Sequence, residues 1–336
     1  MRRVSRKSAK QMGWAATALT AFLAFSGMSQ PANAQNVANW PDRTIRMIVP
    51  FPPGATPDMM ARLVGEKLAE RLKQPVVVEN KSGGSGIIAI TSALNAPADG
   101  YTLFLADTGH TAINPALRKD LPYDPLRDLQ PISRLTEQNF SVIVRDDSPA
   151  RTLADLVELS RKREKGITYG TSGIGSAHHM GGEQLRLLTG GNFMHVPYKG
   201  MIQTVPALLS GEVDFMIGSA TPVMSHWKDG KVRILARGSE QRSQLMPDVP
   251  TLRESGVPMN IAVTLGLFVR AGTPDEIVER LSKEVNLVLQ DPALQKRVAG
   301  QDFTIAGTTP QEYADIVRSQ IAEYKEVVEK AGIEVQ

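Results

Sequence analysis

Short apolar segments that alternate with helical segments constrain this chain more than any other feature of its sequence. Residues 45–50 (IRMIVP) form a β-branched apolar run, and apolar side chains recur at helical spacing through residues 59–72. A second apolar run at 76–78 precedes another helical segment, and a third follows at 101–106. Strands that alternate with helices are typical of a parallel sheet with helices on both faces. The sequence therefore predicts an α/β fold.

The same alternation starts again in the middle of the chain. Apolar strands and helical segments recur from residue 138 to residue 258, and the chain then returns through the apolar run LGLFVR and a closing amphipathic helix. We predict two α/β lobes, one made of residues 35–137 with 259–336 and the other of residues 138–258. Such a layout places a hinge and a cleft between the lobes.

The first 34 residues have the three parts of a secretory signal peptide. Five arginine and lysine side chains, with no acidic one, precede an apolar run at 13–28, and the small-residue pattern Ala32-Asn33-Ala34 follows. The run is shorter than the roughly 20 apolar residues of a membrane span. We predict cleavage after Ala34, which leaves 336 minus 34, or 302 residues. The pair Arg2-Arg3 leaves both the general and the twin-arginine export routes open.

Removal of this leader changes what the net charge implies. The whole chain carries 38 basic and 35 acidic residues, but the leader holds five basic ones, so the mature chain has 33 minus 35, or −2. No basic stripe with interleaved aromatics remains, and we therefore expect no nucleic-acid partner. The chain contains no cysteine, which excludes thiol catalysis and cysteine-based metal sites.

Four loops rich in glycine, serine and threonine follow predicted strands and precede predicted helices. They are FPPGATPD (51–58), KSGGSG (81–86), GTSGIGS (170–176) and PYKG (197–200). Ligands of open α/β sheets bind at the carboxyl ends of the strands, and a helix start offers free N–H groups and partial positive charge. Any one such loop is also what a simple helix cap needs. Four in one two-lobed chain favour a cleft that binds an anion.

Motifs for catalysis are incomplete. Ile87 and Ile174 break the two candidate Gly-x-Ser-x-Gly elbows, and no Gly-Lys-Ser/Thr follows the glycines. His178 and His179 are adjacent, so on a helix they point about 100° apart and do not share a face, which favours buried or helix-capping histidines over metal ligands. We therefore expect no enzyme, no metal and no cofactor. A secreted α/β hydrolase remains the catalytic alternative.

These segments resemble the Bug-type receptors, the extracytoplasmic solute-binding components of tripartite tricarboxylate transporters. The resemblance is carried by a series of segments that runs in order over the whole chain after the leader, among them WPDRTIRMIVPFPPG (40–54), QPVVVENKSGGSG (74–86), PADGYTLFLA (97–106), YGTSGIGSAHHM (169–180), HVPYKG (195–200), LLSGEVDFMIG (208–218) and MPDVPTLRESGVP (246–258). It implies a type II periplasmic-binding-protein fold in which two lobes close on a small carboxylic acid without a reaction. It also implies a periplasmic location and permease subunits as membrane partners, and we expect a monomer.

The resemblance implies ligand-binding residues in both lobes. Mapped onto this chain they are Phe51, Gly54, Ala55, Thr56, Gly84, Ser85, Thr171, Ser172, Gly173, Gly175, Ser176, His179, Tyr198, Lys199, Gly200 and the acidic position Asp214. Ala55 and Pro57 stand where the family usually has glycine and threonine, and Thr264 stands where it usually has an aromatic residue.

Arg237 is a further candidate, because it ends the apolar strand VRILAR, in a place where the family commonly has a small apolar residue. A guanidinium facing the cleft would grip a second acidic group on the ligand, whereas an ordinary surface arginine is the alternative. The sequence leaves a monocarboxylate, a dicarboxylate and an aromatic acid open as ligands. It also leaves open a sensor that docks on a membrane receptor instead of a permease.

Overall fold

The structure is a computed structural model that describes residues 39–298 and 302–335, and the predicted signal peptide, residues 1–34, lies outside them. The strands are β1 (Ile45–Val49), β2 (Val76–Asn80), β3 (Thr102–Asp107), β4 (Leu129–Asn139), β5 (Ser141–Arg145), β6 (Ile167–Thr171), β7 (Phe193–Pro197), β8 (Phe215–Gly218), β9 (Val232–Arg237), β10 (Ala262–Arg270) and β11 (Phe303–Ile305). The helices are α1 (Thr56–Leu72), α2 (Ile87–Leu94), α3 (Asn114–Leu117), α4 (Pro125–Asp128), α5 (Leu153–Lys162), α6 (Ala177–Thr189), α7 (Met201–Ser210), α8 (Met224–Lys228), α9 (Asp275–Leu289), α10 (Pro292–Val298) and α11 (Pro310–Ala331).

In the part of the chain that the structure describes, the first sheet has six strands in the order β11-β4-β10-β3-β1-β2. β1, β2 and β3 are parallel, as their alternation with helices predicts. β10 is antiparallel to both β3 and β4, and β11 is antiparallel to β4. The sheet is therefore mixed, because β4 leads away to the second sheet and β10 returns from it.

The described residues form a second sheet of five strands in the order β7-β6-β8-β5-β9. β6, β7 and β8 are parallel, and β5 is antiparallel to β8 and β9. Along β5, Val142 and Val144 lie in one core cluster while Ile143 lies in another. Because alternate side chains of a strand face opposite sides, the two clusters cover the two faces of this sheet.

The two sheets are connected by strands that cross side by side. Phe140 separates β4 from β5, and its N–H donates to the carbonyl of Ile261, just before β10, at 2.7 Å. The carbonyl of Phe140 accepts from the N–H of Gly238 at 2.7 Å. A Cβ at Gly238 would lie 2.5 Å from the nitrogen of Ile261, so only glycine permits this close approach. The chain segments around Phe140, Gly238 and Ile261 therefore lie side by side where the chain passes between the two sheets.

Helix α6 of the second lobe also contacts helix α11 of the first. Met180 is buried in the same cluster as Ala112, Tyr313 and Val317, and Gln184 donates a side-chain hydrogen bond to Glu323. A side chain of one lobe thus completes the core of the other. Within the described ranges, no helix is both long and apolar enough to span a bilayer.

Candidate functional site

A cavity of about 550 Å³ lies between the two sheets. Sites for small molecules usually enclose roughly 300–1,000 Å³, so the size suits a small organic ligand. Both lobes line it, through Phe51, Thr56, Pro57, Met60, Asp107, Gly109, Ile113 and Asn114 of the first lobe, Ser172, Gly175, Ser176, Ala177, His178, Met201, Ser219 and Pro222 of the second, and Thr136, Gln138, Phe140, Val263, Leu265 and Phe303 near the crossing. Five predicted site residues are among them, namely Phe51, Thr56, Ser172, Gly175 and Ser176.

Two helices, one from each lobe, begin at this cavity. Thr56 starts α1 and Ala177 starts α6, and both residues line the cavity. The N-cap of α1 is Ala55, which forms no side-chain cap, so the first N–H groups of this helix lack that partner. The cap of α6 is Ser176, whose Oγ accepts from the N–H of His179 at 3.2 Å. Helix starts carry partial positive charge, and two of them facing one cavity favour an anionic ligand.

The loop before α1 is held in place by a buried carboxylate, Asp58. One oxygen accepts from the N–H of Gly54 at 2.8 Å, and the other accepts from the side-chain amide of Asn80 at 2.7 Å. Asn80 also donates to the carbonyl of Phe51 at 3.0 Å. Burial raises the pKa of Asp58, but hydrogen bonds from Arg62, Gly54 and Asn80 outweigh it and hold the pKa below its usual value. Asp58 is therefore charged and fixes the loop that carries Phe51 and Gly54.

The glycine loop of residues 83–86 contacts the side chains of Asn114 and His110. Gly84 and Ser85 are exposed and do not line the cavity. The carbonyl of Ser85 accepts a 3.0 Å hydrogen bond from the side chain of Asn114, which does line it. Gly86 has φ +83°, and a Cβ there would lie 2.0 Å from the ring of His110. The loop therefore supports Asn114 and His110 rather than facing the ligand.

In the second lobe, the loop after β6 is fixed by its own side chains. The hydroxyl of Thr171 shares a 2.6 Å hydrogen bond with Nε2 of His195 and accepts from the N–H of Gly173 at 3.2 Å. Nδ1 of His179 accepts from the N–H of Gly175 at 3.2 Å, and its ring stacks on His195 with centroids 3.9 Å apart. Thr171, Gly173 and His179 are thus supports of the cavity wall and do not form its surface.

Among the described residues that line the cavity, the contact that resembles a base with a nucleophile is the one between His178 and Ser172. The Oγ of Ser172 and Nδ1 of His178 are 2.7 Å apart, and the imidazole stacks on Phe140 with centroids 4.2 Å apart. Burial lowers the pKa of His178 to about 4. The ring is therefore neutral at neutral pH and is a weak proton acceptor.

Asp107 is the only formally charged side chain among the described residues that line the cavity. It ends β3, and its Oδ1 lies 2.5 Å from Nδ1 of His110 and accepts from the N–H of the same residue at 3.2 Å. Burial raises the pKa of Asp107, but the neighbouring His110 outweighs it and holds the pKa below its usual value. Asp107 is accordingly ionised at neutral pH.

Comparison with known proteins identifies the family. A sequence model described as "Tripartite tricarboxylate transporter family receptor" matches residues 60–333. The chain belongs to this family. BugT of Bordetella pertussis is 32% identical over 317 residues, which cover 94% of this chain and 96% of BugT.

Solved structures of similar proteins include several receptors of this kind. An R. palustris protein solved with adipate is 32% identical, has a TM-score of 0.73, and the match covers 88% of this chain and 99% of that protein. MatC from Rhodopseudomonas palustris, solved with bound malate, is 29% identical with a TM-score of 0.69, over 86% of this chain and 100% of MatC. The periplasmic binding protein BugD is 32% identical with a TM-score of 0.70 over 88% of this chain. The predicted resemblance and the predicted two-lobed α/β fold are confirmed.

Three predicted residues of this tripartite tricarboxylate receptor lie beside the cavity without lining it. The N–H of Tyr198 donates to the carbonyl of Thr171 at 3.1 Å, and its hydroxyl donates to Glu212 at 2.7 Å. Lys199 is exposed, and Gly200 precedes α7, whose first residue, Met201, does line the cavity. This segment contributes through Met201, which the sequence interpretation did not include.

Asp214 does not reach the cavity of the receptor. It accepts hydrogen bonds from the N–H and the hydroxyl of Thr168 at 2.8 and 3.0 Å and pairs with Arg163 at 2.7 Å. Thr168 lies near the beginning of β6, whereas the cavity lies beyond its end at Thr171. The structure thus places the predicted residue Asp214 at the other end of β6 from the cavity, where it holds Thr168 and Arg163.

Arg237 also differs from its interpretation as a free guanidinium in the cleft. It is 3% exposed, pairs with Asp302, and donates from Nε to the hydroxyl of Ser239 at 3.0 Å. It lines a different cavity, beside Arg134 and Arg242, and not the one where α1 and α6 begin. Because Asp302 already neutralises it, Arg237 offers no unpaired charge to a second acidic group on a ligand.

Proposed function

We propose that this receptor captures a small organic acid in the cavity between its lobes and delivers it to membrane subunits of a tripartite tricarboxylate-type transporter. The observation that carries the proposal is the meeting of two helix starts, at Thr56 and Ala177, on one cavity. Free N–H groups at helix starts satisfy a carboxylate without a countercharge. Membership of the family, and relatives solved with adipate and malate, support a carboxylate over other anions.

The remaining parts of the proposal follow from the same cleft. The lobes, proposed as residues 35–137 with 259–336 and residues 138–258, close about the crossing at Phe140 when a ligand touches both. The protein works as a periplasmic monomer after cleavage behind Ala34. No reaction follows binding. Burial keeps His178 neutral and makes it a weak base for the neighbouring Ser172 hydroxyl, which supports binding over hydrolysis.

A thermal-shift screen of organic acids against their primary amides tests this function. A carboxylate at a hundred times its dissociation constant stabilises the folded protein by about 2.7 kcal/mol. We expect stabilisation by at least one acid and little by its amide, because the amide lacks the charge that the helix starts favour. Equal stabilisation by an acid and its amide would contradict the proposal.

Ser176→Ala and Thr152→Ala make a matched pair of variants for this test. Ser176 caps α6 at the cavity, and Thr152 caps α5 outside it. Each loses one cap, which costs about 1 kcal/mol of stability. We expect only Ser176→Ala to weaken binding of the acid, by about tenfold, because Ser176 lines the cavity and its hydroxyl holds the loop and the start of α6 in place there. Equal weakening by both variants would place the carboxylate away from α6.

A further inference from the structure

The walls of the interlobe cavity are mainly apolar. Phe51 and Met60 come from the first lobe, Met201 from the second, and Phe140, Val263 and Phe303 from the region of the crossing. Aromatic and aliphatic side chains of this kind bury the body of a ligand and gain about 25 cal/mol for each Å² of apolar surface removed from water. The neutral polar side chains Asn114, Thr136, Gln138 and Ser219 line the rest of the cavity, so the walls suit a ligand whose body is largely apolar.

The charges of the same cavity do not favour a second anionic group. Among the described residues, no lysine or arginine lines it, and its one formal charge is the carboxylate of Asp107. Of the two basic candidates from the sequence, Arg237 is paired with Asp302 outside this cavity, and Lys199 is exposed and does not line it. A carboxylate far from the helix starts would therefore meet only neutral polar side chains, such as Asn114 and Gln138, and no cation. Both hydrogen bonds from His110 go to Oδ1 of Asp107, so the Oδ2 side of this carboxylate would repel it.

We propose that the ligand is a monocarboxylate with an apolar body and that Asp107 excludes diacids from the cavity. The inference rests on the function proposed above and names the class of acid within it. It separates this receptor from its relatives solved with adipate and malate, which are both dicarboxylates. The hydrogen bonds from His110 keep Asp107 charged and oriented, and Gly86 leaves the space that the His110 ring occupies.

Hexanoate, adipate and hexanamide test the inference by calorimetric titration of the mature protein. Hexanoate and adipate have the same chain length and differ only in a terminal methyl or carboxylate. We expect hexanoate to bind at least about thirtyfold more tightly, since an unpaired charged group costs roughly 2–3 kcal/mol. Adipate that binds as tightly as hexanoate would overturn the inference. Hexanamide that binds as tightly as hexanoate would instead overturn the proposed function, so the two failures are distinguishable.

Two charge-matched variants then test the role of Asp107. Asp107→Asn keeps the shape and removes the charge inside the cavity, whereas Asp147→Asn removes the same charge from a side chain that is 72% exposed. We expect Asp107→Asn to narrow the ratio of hexanoate to adipate affinity by about tenfold and Asp147→Asn to leave it unchanged. An unchanged ratio in Asp107→Asn, with hexanoate binding retained, would show that Asp107 does not select the ligand. Loss of hexanoate binding in the same variant would assign Asp107 to positioning and overturn its role in exclusion.

Discussion

The buried pair of Arg237 and Asp302 predicts a large loss of stability when either partner is removed. Arg237 ends β9 in the second sheet, and Asp302 immediately precedes β11 in the first, so the pair joins the two sheets. Their side chains are 4% and 2% exposed. Removing one member of such a pair leaves the other charge buried without a partner, which costs about 3–5 kcal/mol. We expect about 3 kcal/mol for Arg237→Met, because Oδ2 of Asp302 has no hydrogen-bond partner among the described residues and the pair is not fully satisfied.

Equilibrium unfolding in urea of both single variants and the double variant measures this cost. Asp302→Leu alone leaves the guanidinium unpaired and should cost a similar amount. The double variant Arg237→Met/Asp302→Leu should recover much of the loss, because apolar side chains often replace a buried pair at little cost. The expected coupling free energy between the two sites is therefore about 2 kcal/mol or more. Single variants that each cost less than about 1 kcal/mol would refute a buried pair.

The same variants distinguish this structural role from ligand selection. Arg237 lines a cavity other than the one at the two helix starts. The ratio of hexanoate to adipate affinity should therefore stay within about twofold of the original in Arg237→Met. A selective loss of adipate binding in that variant would show that Arg237 contacts the ligand.

Two further predictions concern the cavity wall. Asp58→Ala should lower the free energy of unfolding by about 1–3 kcal/mol and also lower the affinity for hexanoate, because the donors on Gly54 and Asn80 lose their acceptor. Urea unfolding and calorimetric titration measure the two effects. The control variant Glu70→Ala, at an exposed position of the same helix, should change neither quantity. Burial lowers the pKa of His178 to about 4, so the folded state binds fewer protons than the unfolded chain below pH 6.5. Stability should therefore be complete above about pH 6.5 and fall as the pH drops toward 4, and a urea midpoint that stays constant over this range would contradict the buried, neutral ring.

The alternation of strands and helices in the first hundred residues could be predicted from the sequence because it depends on local patterns. The predicted strand at 45–50 and the helix from 59 correspond to β1 and most of α1. β4 was not predicted, since its sequence LQPISRLTEQN mixes polar and apolar residues, and its place between β10 and β11 depends on contacts far along the chain. The antiparallel direction of β10 and β11 was not predicted for the same reason, since it depends on contacts far along the chain.

The residues of the candidate site at the helix starts could be predicted from the sequence, but the positions of its charged side chains could not. Phe51, Thr56 and Ser176 line the cavity because strand ends and helix starts coincide there, which is a local signal. The pairing of Arg237 could not be predicted because its partner, Asp302, lies 65 residues away in the sequence. Asp107 was missed although it had a usable signal, namely a charged residue directly after the apolar strand TLFLA at the end where ligands bind.

A crystal structure of the mature protein with 4-bromobenzoate tests the central claim most directly. The anomalous signal of bromine locates the apolar end of this monocarboxylate independently of its carboxylate. We predict a carboxylate within hydrogen-bond distance of backbone N–H groups at the starts of both α1 and α6, and bromine against Phe140, Val263 or Phe303. A ligand held beside Arg134 and Arg242 in the neighbouring cavity, or by the residues of one lobe alone, would contradict capture between the two helix starts.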